Sequence, residues 1–531
     1  MIMYTIEDDL VLLSLITVFI AAVVFIASIK IFKSLFPYTN VSEKNCLYHT
    51  WIEKPSFISN DPHVCSVCDT LIHGSNIRYC DSCGLLVDLI CLKKANKRIK
   101  CKLISTNKSA KTFSHHWVTS LTSYPVICEH CSEEESDIVG NFFQCNWCQR
   151  TSHERCISYL DVKCDFGKYK KYILPPFCVK LHNKYKVNTS KQMIEKVLCT
   201  SWPIWTPLFI FVNKKSGNND GSVIMSHFRR ILNPIQVYDV IENPPEKVLL
   251  WLKNSTLNNI YILVAGGDGT VAGVLNSIYN LKLENDPAVG IIPLGTGNDL
   301  SRVLGWGANI RNINSSSILD SINNISIVKF DRWKVDVMCN VLKKIKVVNS
   351  ITMYNYIGIG LDAQIALNFH QTRISPFYLF NSTLFNKIIY LGCGTQQFLE
   401  QQCKGLSKKI ELYINDQKIT LADLESIVIV NINSWAAGVD LWKLGNSDGN
   451  DFGEQSINDG LLEVLGIRSP MHMAQLKLGL SEPIRIGQAS VIRIKLLQKL
   501  PVQVDGEPWL QPSCEILIKS ICQALVIKKN T

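Results

Sequence analysis

The sequence predicts a multidomain chain: an N-terminal transmembrane helix, two small zinc-binding domains, an α/β nucleotide-binding domain and a mostly β domain behind it. Three features predict this order. They are an uncharged run at residues 10–29, twelve cysteines between Cys65 and Cys164 in C-x2-C units, and apolar strands that end in glycine turns from residue 207 onward. The net charge of +10 is spread over 531 residues with no long lysine or arginine block. A nucleic-acid partner is therefore not expected, whereas a lipid bilayer or an anionic ligand is.

Leu10 to Ile29 carries no charge. At about 1.5 Å per helical residue, such a run spans a hydrocarbon core of about 30 Å. A cleaved signal peptide would have a shorter apolar core with positive charge ahead of it, but here Glu7, Asp8 and Asp9 precede the run and Lys30 and Lys33 follow it. The expectation is a short tail at 1–9, a retained anchor at 10–29 and a cytosolic remainder, on the endoplasmic reticulum or plasma membrane.

Cysteines interleaved with histidines at metal-ligand spacing indicate zinc and a reducing compartment, not disulfides. His115, Cys128, Cys131, Cys145, Cys148, His153, Cys156 and Cys164 fit H-x12-C-x2-C-x13-C-x2-C-x4-H-x2-C-x7-C at every interval. Residues 115–164 thus resemble a C1 domain. That resemblance implies interleaved Cys3His sites: His115, Cys145, Cys148 and Cys164 on one zinc, and Cys128, Cys131, His153 and Cys156 on the other. Residues 46–101 resemble the same domain more loosely, with His49, Cys65, Cys68, Cys80, Cys83, Asp88, Cys91 and Cys101 as ligands. Asp88 stands where the family has histidine, so a Cys3Asp site is expected there, and His63 competes with His49 for the first position. The loop after Cys131 carries Glu133, Glu134, Glu135 and Asp137, a poor surface for an anionic membrane, which favours scaffolding over lipid recruitment.

Residues 165–205, with Lys168, Lys170, Lys171, Lys180, Lys184 and Lys186, read as a basic linker. Beyond it, strands at Leu208–Val212, Tyr261–Ala265 and Val289–Pro293 alternate with helical stretches near Val223–Leu232, Glu246–Lys253 and Val271–Tyr279, an α/β layer over 206–330. From 331 to 531 the pattern changes to strand-like alternation, a mostly β accessory domain whose junction with the first makes a cleft.

Two strands in this region end in glycine loops: Gly266, Gly267, Asp268, Gly269 and Thr270, then Gly295, Thr296, Gly297, Asn298 and Asp299. Glycines let main-chain N–H groups approach a phosphate, and the helix that follows adds its positive end. Asp268 repels phosphate directly and makes sense through a bridging divalent cation. A lone Gly-Gly-Asp-Gly is also a good β-turn. The second loop, together with Asn213 at the end of the first strand, makes a nucleotide site the better reading. No P-loop and no protein-kinase signature occurs.

The segments Asn213-Lys-Lys-Ser-Gly, Gly266-Gly-Asp-Gly-Thr, Pro293-Leu-Gly-Thr-Gly-Asn-Asp-Leu, Asp331-Arg-Trp, Asn355-Tyr-Ile-Gly-Ile-Gly-Leu-Asp-Ala, Asn458-Asp-Gly-Leu-Leu-Glu and Val504-Asp-Gly-Glu-Pro-Trp look like the catalytic and accessory domains of a eukaryotic diacylglycerol kinase. With the C1 modules the match runs from about Cys46 to the C-terminus, and the anchor, the short domain list and Asp88 look most like the epsilon type. The resemblance implies ATP and Mg²⁺ as cofactors beside structural Zn²⁺, membrane diacylglycerol as substrate, and phosphatidic acid as product. It implies that Asp268 acts through Mg²⁺, that Asp505 takes the hydroxyl proton, and that Asp459 belongs to a magnesium network. Asp362 either faces the lipid hydroxyl or supports the cleft. A kinase for ceramide, a sphingoid base or monoacylglycerol is the nearest alternative, and a catalytically silent adaptor acting through its zinc modules is another.

Overall fold

The computed structural model describes residues 49–53, 63–72, 74–106, 113–119, 126–135, 142–182, 193–217, 220–310, 314–341, 344–374, 403–445 and 452–530. The span expected at 10–29 lies outside them. Among the described residues no helix is long and apolar enough to cross a membrane.

Strand β1, Leu208–Val212, is buried at every residue, as a strand covered on both faces must be. Helix α1, Asp220–Ile231, follows it, and strand β2, Val237–Asp239, pairs parallel on one side. Strand β3, Tyr261–Gly266, pairs parallel on the other. Helix α2, Asp268–Leu281, returns to strand β4, Ala288–Pro293, which is parallel to β3 in register from Tyr261↔Ala288 to Gly266↔Pro293. Gly266 and the residues just beyond Pro293 therefore lie side by side at the carboxyl edge, where open α/β sheets bind nucleotides. Short helix α3, Asp299–Val303, closes this edge.

Two long strands, β5 at Ile325–Val341 and β6 at Lys344–Met353, pair antiparallel, and β7, Tyr356–Gly360, runs into helix α4, Leu361–Ile374. The strand-like alternation over residues 346–358 thus divides between two strands in two different sheets. After β8, Ile410–Ile414, and β9, Gln417–Ile419, come β10, Ser426–Val430, β11, Leu462–Ile467, and helix α5, Pro470–Lys477. The chain ends in β12, Ile484–Ala489, β13, Val491–Leu496, β14, Leu500–Val504, β15, Glu507–Gln511, and β16, Cys514–Lys529. One antiparallel sheet has the order β12-β11-β10-β7-β14-β15.

The other sheet runs β2-β1-β3-β4-β16-β13-β8-β9, with β5 paired to β16 and to β6. This refines the expected boundary at 330/331. Strand β16 pairs with β5 from Ile325↔Lys529 to Met338↔Glu515 and touches β4 at Val289↔Val526. The last residues of the chain are therefore part of the catalytic sheet.

The zinc modules repeat one plan despite their unequal spacing. Trp51–Glu53, Ile77–Cys80 and Leu86–Asp88 form one three-stranded sheet, and Trp117–Thr119, Phe142–Cys145 and Thr151–His153 form the other. The segment expected as a basic linker is folded over most of its described length. Phe166, Tyr169, Tyr172 and Ile173 are buried in one core with Trp147 of the second module and Ile210, Ile224 and Phe228 of the α/β domain. Lys168 and Lys180 are exposed and Lys170 and Lys171 half-buried, while the aromatic residues interleaved with them supply the apolar face.

Candidate active site and zinc centres

The two glycine loops lie back to back. A Cβ on Gly267 would sit 3.1 Å from the Cα of Gly295, and one on Gly266 would sit 2.7 Å from the Thr270 side chain. Glycine at these positions is thus required by close packing of the loops. Gly269 and Gly297 serve a different need. A Cβ on Gly269 would meet nothing within 4 Å, and one on Gly297 only Asp268 Oδ2 at 3.5 Å and Asp299 Oδ2 at 3.6 Å. Their bare backbone borders open space in front of two carboxylates, which fits a phosphate carried with a cation.

Other expected nucleotide residues build this cradle more than they face it. Asn298, left-handed at φ 52°, donates to the carbonyls of Gly295 at 2.8 Å and Ala308 at 2.6 Å and accepts the Gly295 N–H at 2.9 Å. Asn213 accepts the N–H of Lys215 at 3.1 Å and donates to Thr270 Oγ1 at 3.4 Å, fastening the end of β1 to the first glycine loop. Thr296 is exposed at the rim.

Asp268 joins the two loops. Its Oδ2 accepts the N–H of Asp299 at 3.0 Å and its Oδ1 that of Leu300 at 3.2 Å, the unpaired donors of α3. Burial, then the Asp299 charge, and more weakly that of Asp505, push its carboxyl up to about 7. Asp299, buried, accepts the hydroxyl of Ser434 and the N–H of Ala437 at 3.1 Å. It thereby bolts the nucleotide loop to a turn of the accessory domain in which Ala436 and Ala437 both have positive φ.

Asp505 stands on the two-residue turn between β14 and β15, at φ 49°. Its Oδ1 accepts the N–H groups of Asn355 at 2.7 Å and Tyr356 at 3.0 Å, and its Oδ2 that of Tyr354 at 2.8 Å. Burial nonetheless raises its carboxyl to about 6, and the three N–H bonds oppose the rise. A carboxylate with that value near neutral pH can take a proton in the reaction and return it to solvent.

Asp362 is buried beneath the site. Its Oδ2 accepts the Gln503 amide at 2.8 Å, and Gln503 Oε1 accepts the N–H of Gly506 at 2.8 Å, so Asp362 supports the Asp505 turn from behind. Asp459 is exposed, and its Oδ1 accepts the N–H of Leu461 at 2.9 Å. Partial desolvation of the carboxyl itself and the nearby Asp331 carboxylate hold it up, an arrangement that a cation would relieve. Asp331 has both oxygens engaged, by Gly460 N–H at 2.7 Å and the Gln523 amide at 2.8 Å.

Of the sixteen expected zinc ligands, fifteen gather into four clusters. Three hold four side chains each: His49 with Cys80, Cys83 and Cys101; His115 with Cys145, Cys148 and Cys164; Cys128 and Cys131 with His153 and Cys156. The first uses His49 and not His63. The last cluster holds Cys65, Cys68 and Cys91. Asp88, expected as its fourth ligand, is outside it, because the Asp88 carboxylate accepts the N–H of Ile90 at 2.9 Å as a helix cap.

Residues to which the sequence assigns no role also shape the site. Arg332, buried, donates to Tyr354 Oη at 3.0 Å and to the Leu275 carbonyl at 3.3 Å, and lies over the Tyr279 ring at 4.5 Å. Tyr354 in turn donates to Asn276 at 2.8 Å. Together they pin α2 to the backbone that cradles Asp505. Ser434, Ala437, Gln503 and Tyr354 escape sequence reasoning because each acts through a contact more than seventy residues away.

Comparison with known proteins bears on these domains. Residues 115–167 match the phorbol esters/diacylglycerol binding domain (C1 domain), residues 207–330 the diacylglycerol kinase catalytic domain and residues 352–508 the diacylglycerol kinase accessory domain. The chain is 32% identical over 507 residues to "Probable diacylglycerol kinase 3" of Caenorhabditis elegans, which covers 88% of this chain and 62% of that protein. It is 38% identical over 324 residues to diacylglycerol kinase theta of Homo sapiens, covering 59% of this chain and 34% of that protein. It therefore spans less than two thirds of the length of either relative. A crystal structure of a diacylglycerol kinase from Bacillus anthracis str. Sterne aligns with 60% of this chain and 96% of that one, at 17% identity and a TM-score of 0.38. The chain thus carries the catalytic and accessory domains of the diacylglycerol kinases, with a C1 domain ahead of them.

Proposed function

We propose that this protein transfers the γ-phosphoryl group of ATP to the free hydroxyl of 1,2-diacylglycerol, giving phosphatidic acid and ADP. Such a reaction ends diacylglycerol signalling and supplies phosphoinositide resynthesis. The observation that carries this reading is the convergence of Asp268, Asp299 and Asp505 where two glycine loops meet the accessory domain. Phosphoryl transfer asks mainly for positioning and charge neutralisation, which such a junction supplies. The glycine loops seat the phosphates, and Asp268 would hold the magnesium that accompanies the nucleotide. Asp505 accepts the hydroxyl proton as the oxygen bonds phosphorus and the bond to ADP breaks. Magnesium contributes neutralisation of the phosphate charge, and Asp459 offers a second carboxylate for it.

A radiolabelled-ATP assay across lipid substrates tests this. Label is expected in phosphatidic acid. Label in phosphorylated ceramide, sphingoid base or monoacylglycerol instead would identify another lipid kinase, and no labelled lipid at all would favour the silent adaptor.

The pH profile reads Asp505 more cleanly than a substitution does. In Asp505→Asn an amide would replace an oxygen that accepts a main-chain N–H, so the variant should lose turnover and some stability together, while ATP still binds. In the unaltered protein both Asp505 and Asp268 must be ionised, so kcat/KM is expected to fall as pH drops through about 7 and then about 6. Added magnesium should move the upper step to lower pH and leave the lower one in place. A flat profile between pH 5.5 and 7.5 would remove Asp505 as the base.

The epsilon-type assignment and the single-pass topology with a cytosolic catalytic part belong to the same proposal: the topology rests on the uncharged run at 10–29 and the charges flanking it, and the epsilon-type assignment on that anchor together with Asp88. Glycosylation acceptors fused to each end should be modified only at the N-terminal side. Modification of the C-terminal acceptor would reverse the orientation.

A further inference from the structure

Position 88 occupies the place that His153 has in the second module, and the backbones agree. Each residue precedes a 3₁₀ turn, with φ −66° and ψ 146° at Asp88 and φ −62° and ψ 150° at His153. The side chains part company there. His153 makes no capping bond and brings its Nδ1 within 3.4 Å of Cys131 Sγ and 3.9 Å of Cys156 Sγ. Asp88 gives its Oδ1 to the N–H of Ile90, and what it directs at the cluster is its own main-chain N–H, 3.3 Å from Cys65 Sγ.

Charge explains the choice. Three thiolates around Zn²⁺ leave a net charge of −1, which a neutral imidazole or water preserves and a carboxylate would double. A carboxylate at the start of a turn instead meets unpaired N–H donors. The three sulfurs remain gathered, with Cys91 and Cys68 3.5 Å apart, and Cys68 is exposed with Thr70 Oγ1 3.0 Å from its sulfur. Among the described residues no fourth side chain joins them.

We propose that Cys65, Cys68 and Cys91 hold zinc with a fourth position open to an exogenous neutral ligand such as water or imidazole. This makes it the exchangeable one of the four metal sites. The other three, each with four protein ligands, are closed.

The test uses the full chain loaded with zinc or cobalt(II). In chelator competition, one zinc equivalent of four should leave at least about tenfold faster than the rest. In the cobalt-loaded protein, imidazole should perturb the visible bands of one site. Asp88→His should slow the fast equivalent and abolish the imidazole response, whereas Asp88→Ala should change neither. Release of four equivalents at one rate, a zinc content of three, or faster release from Asp88→Ala would overturn the proposal.

Discussion

Asp268→Ala is expected to lower phosphoryl transfer by at least about a thousandfold, while zinc content stays at its wild-type value. The size follows from what the side chain joins. It is the first residue of α2, it accepts the free N–H groups of α3, and its charge faces Asp299 across the bare backbone of Gly297. Removing it takes away the cation-facing carboxylate and loosens one glycine loop from the other. A merely structural role would show only the second effect, so the stability profile separates the two. A carboxyl raised to about 7 in the folded chain, against 3.8 for the ordinary group, favours the folded state most at acid pH. That advantage is lost as pH rises through the folded value. Wild-type stability relative to Asp268→Ala should therefore decline by about 2 kcal/mol between pH 4 and pH 7.5, after allowance for partial exposure. Thermal unfolding of the two proteins across that range measures it. A difference that does not change with pH would mean that Asp268 carries no buried charge, and retention of near-normal turnover would remove it from the site.

Legibility divides along a physical line. Features whose chemistry is local could be read directly: C-x2-C spacing, a strand stopped by glycines, a two-residue Asp-Gly turn. The parallel strands β1, β3 and β4 fall within a residue or two of expectation because their apolar runs are short and bounded. Contacts between distant segments were not readable. Nothing in Cys514–Lys529 says whether its alternating residues join the β domain or the catalytic sheet, because the period of two is the same in both. Asp299, expected in the nucleotide loop, also reaches Ser434 and Ala437, a pairing with no sequence signature. Asp88 shows a subtler limit: spacing brings a residue to the right backbone position, and electrostatics then decides which way its side chain turns. The lysine-rich stretch at 165–205 was assigned by its charge, whereas its fold is decided by the aromatic residues between those charges.

Lys102→Met is expected to cost about 3 kcal/mol of stability and to release the end of α1. This lysine follows the zinc ligand Cys101 directly, and it is buried. Its ammonium group reaches four carbonyls: Asn146 at 2.9 Å, Arg229 at 3.0 Å, Arg230 at 2.7 Å and Leu232 at 2.7 Å. It also lies over the Trp147 ring at 4.2 Å. Three of those carbonyls belong to the last turn of α1 or just beyond it, where a cation complements the helix dipole. Neighbouring contacts tighten the same joint: Asp81, between two zinc ligands of the first module, takes Arg229 and Ser226, and Arg230 donates to Gln144 of the second at 3.0 Å. Burial drives the Lys102 ammonium well below its ordinary value, so the carbonyl cage and the ring must offset most of that penalty. Methionine fills comparable volume and leaves the carbonyls without their donor, so the loss reads the hydrogen bonds and not a cavity. Hydrogen exchange of residues 224–232 should accelerate in the variant, as it should in Cys101→Ser, which disturbs the adjoining zinc site. If the zinc modules were merely tethered to the catalytic domain, neither substitution would alter exchange in α1, and the two regions would unfold as separate transitions in the unaltered protein.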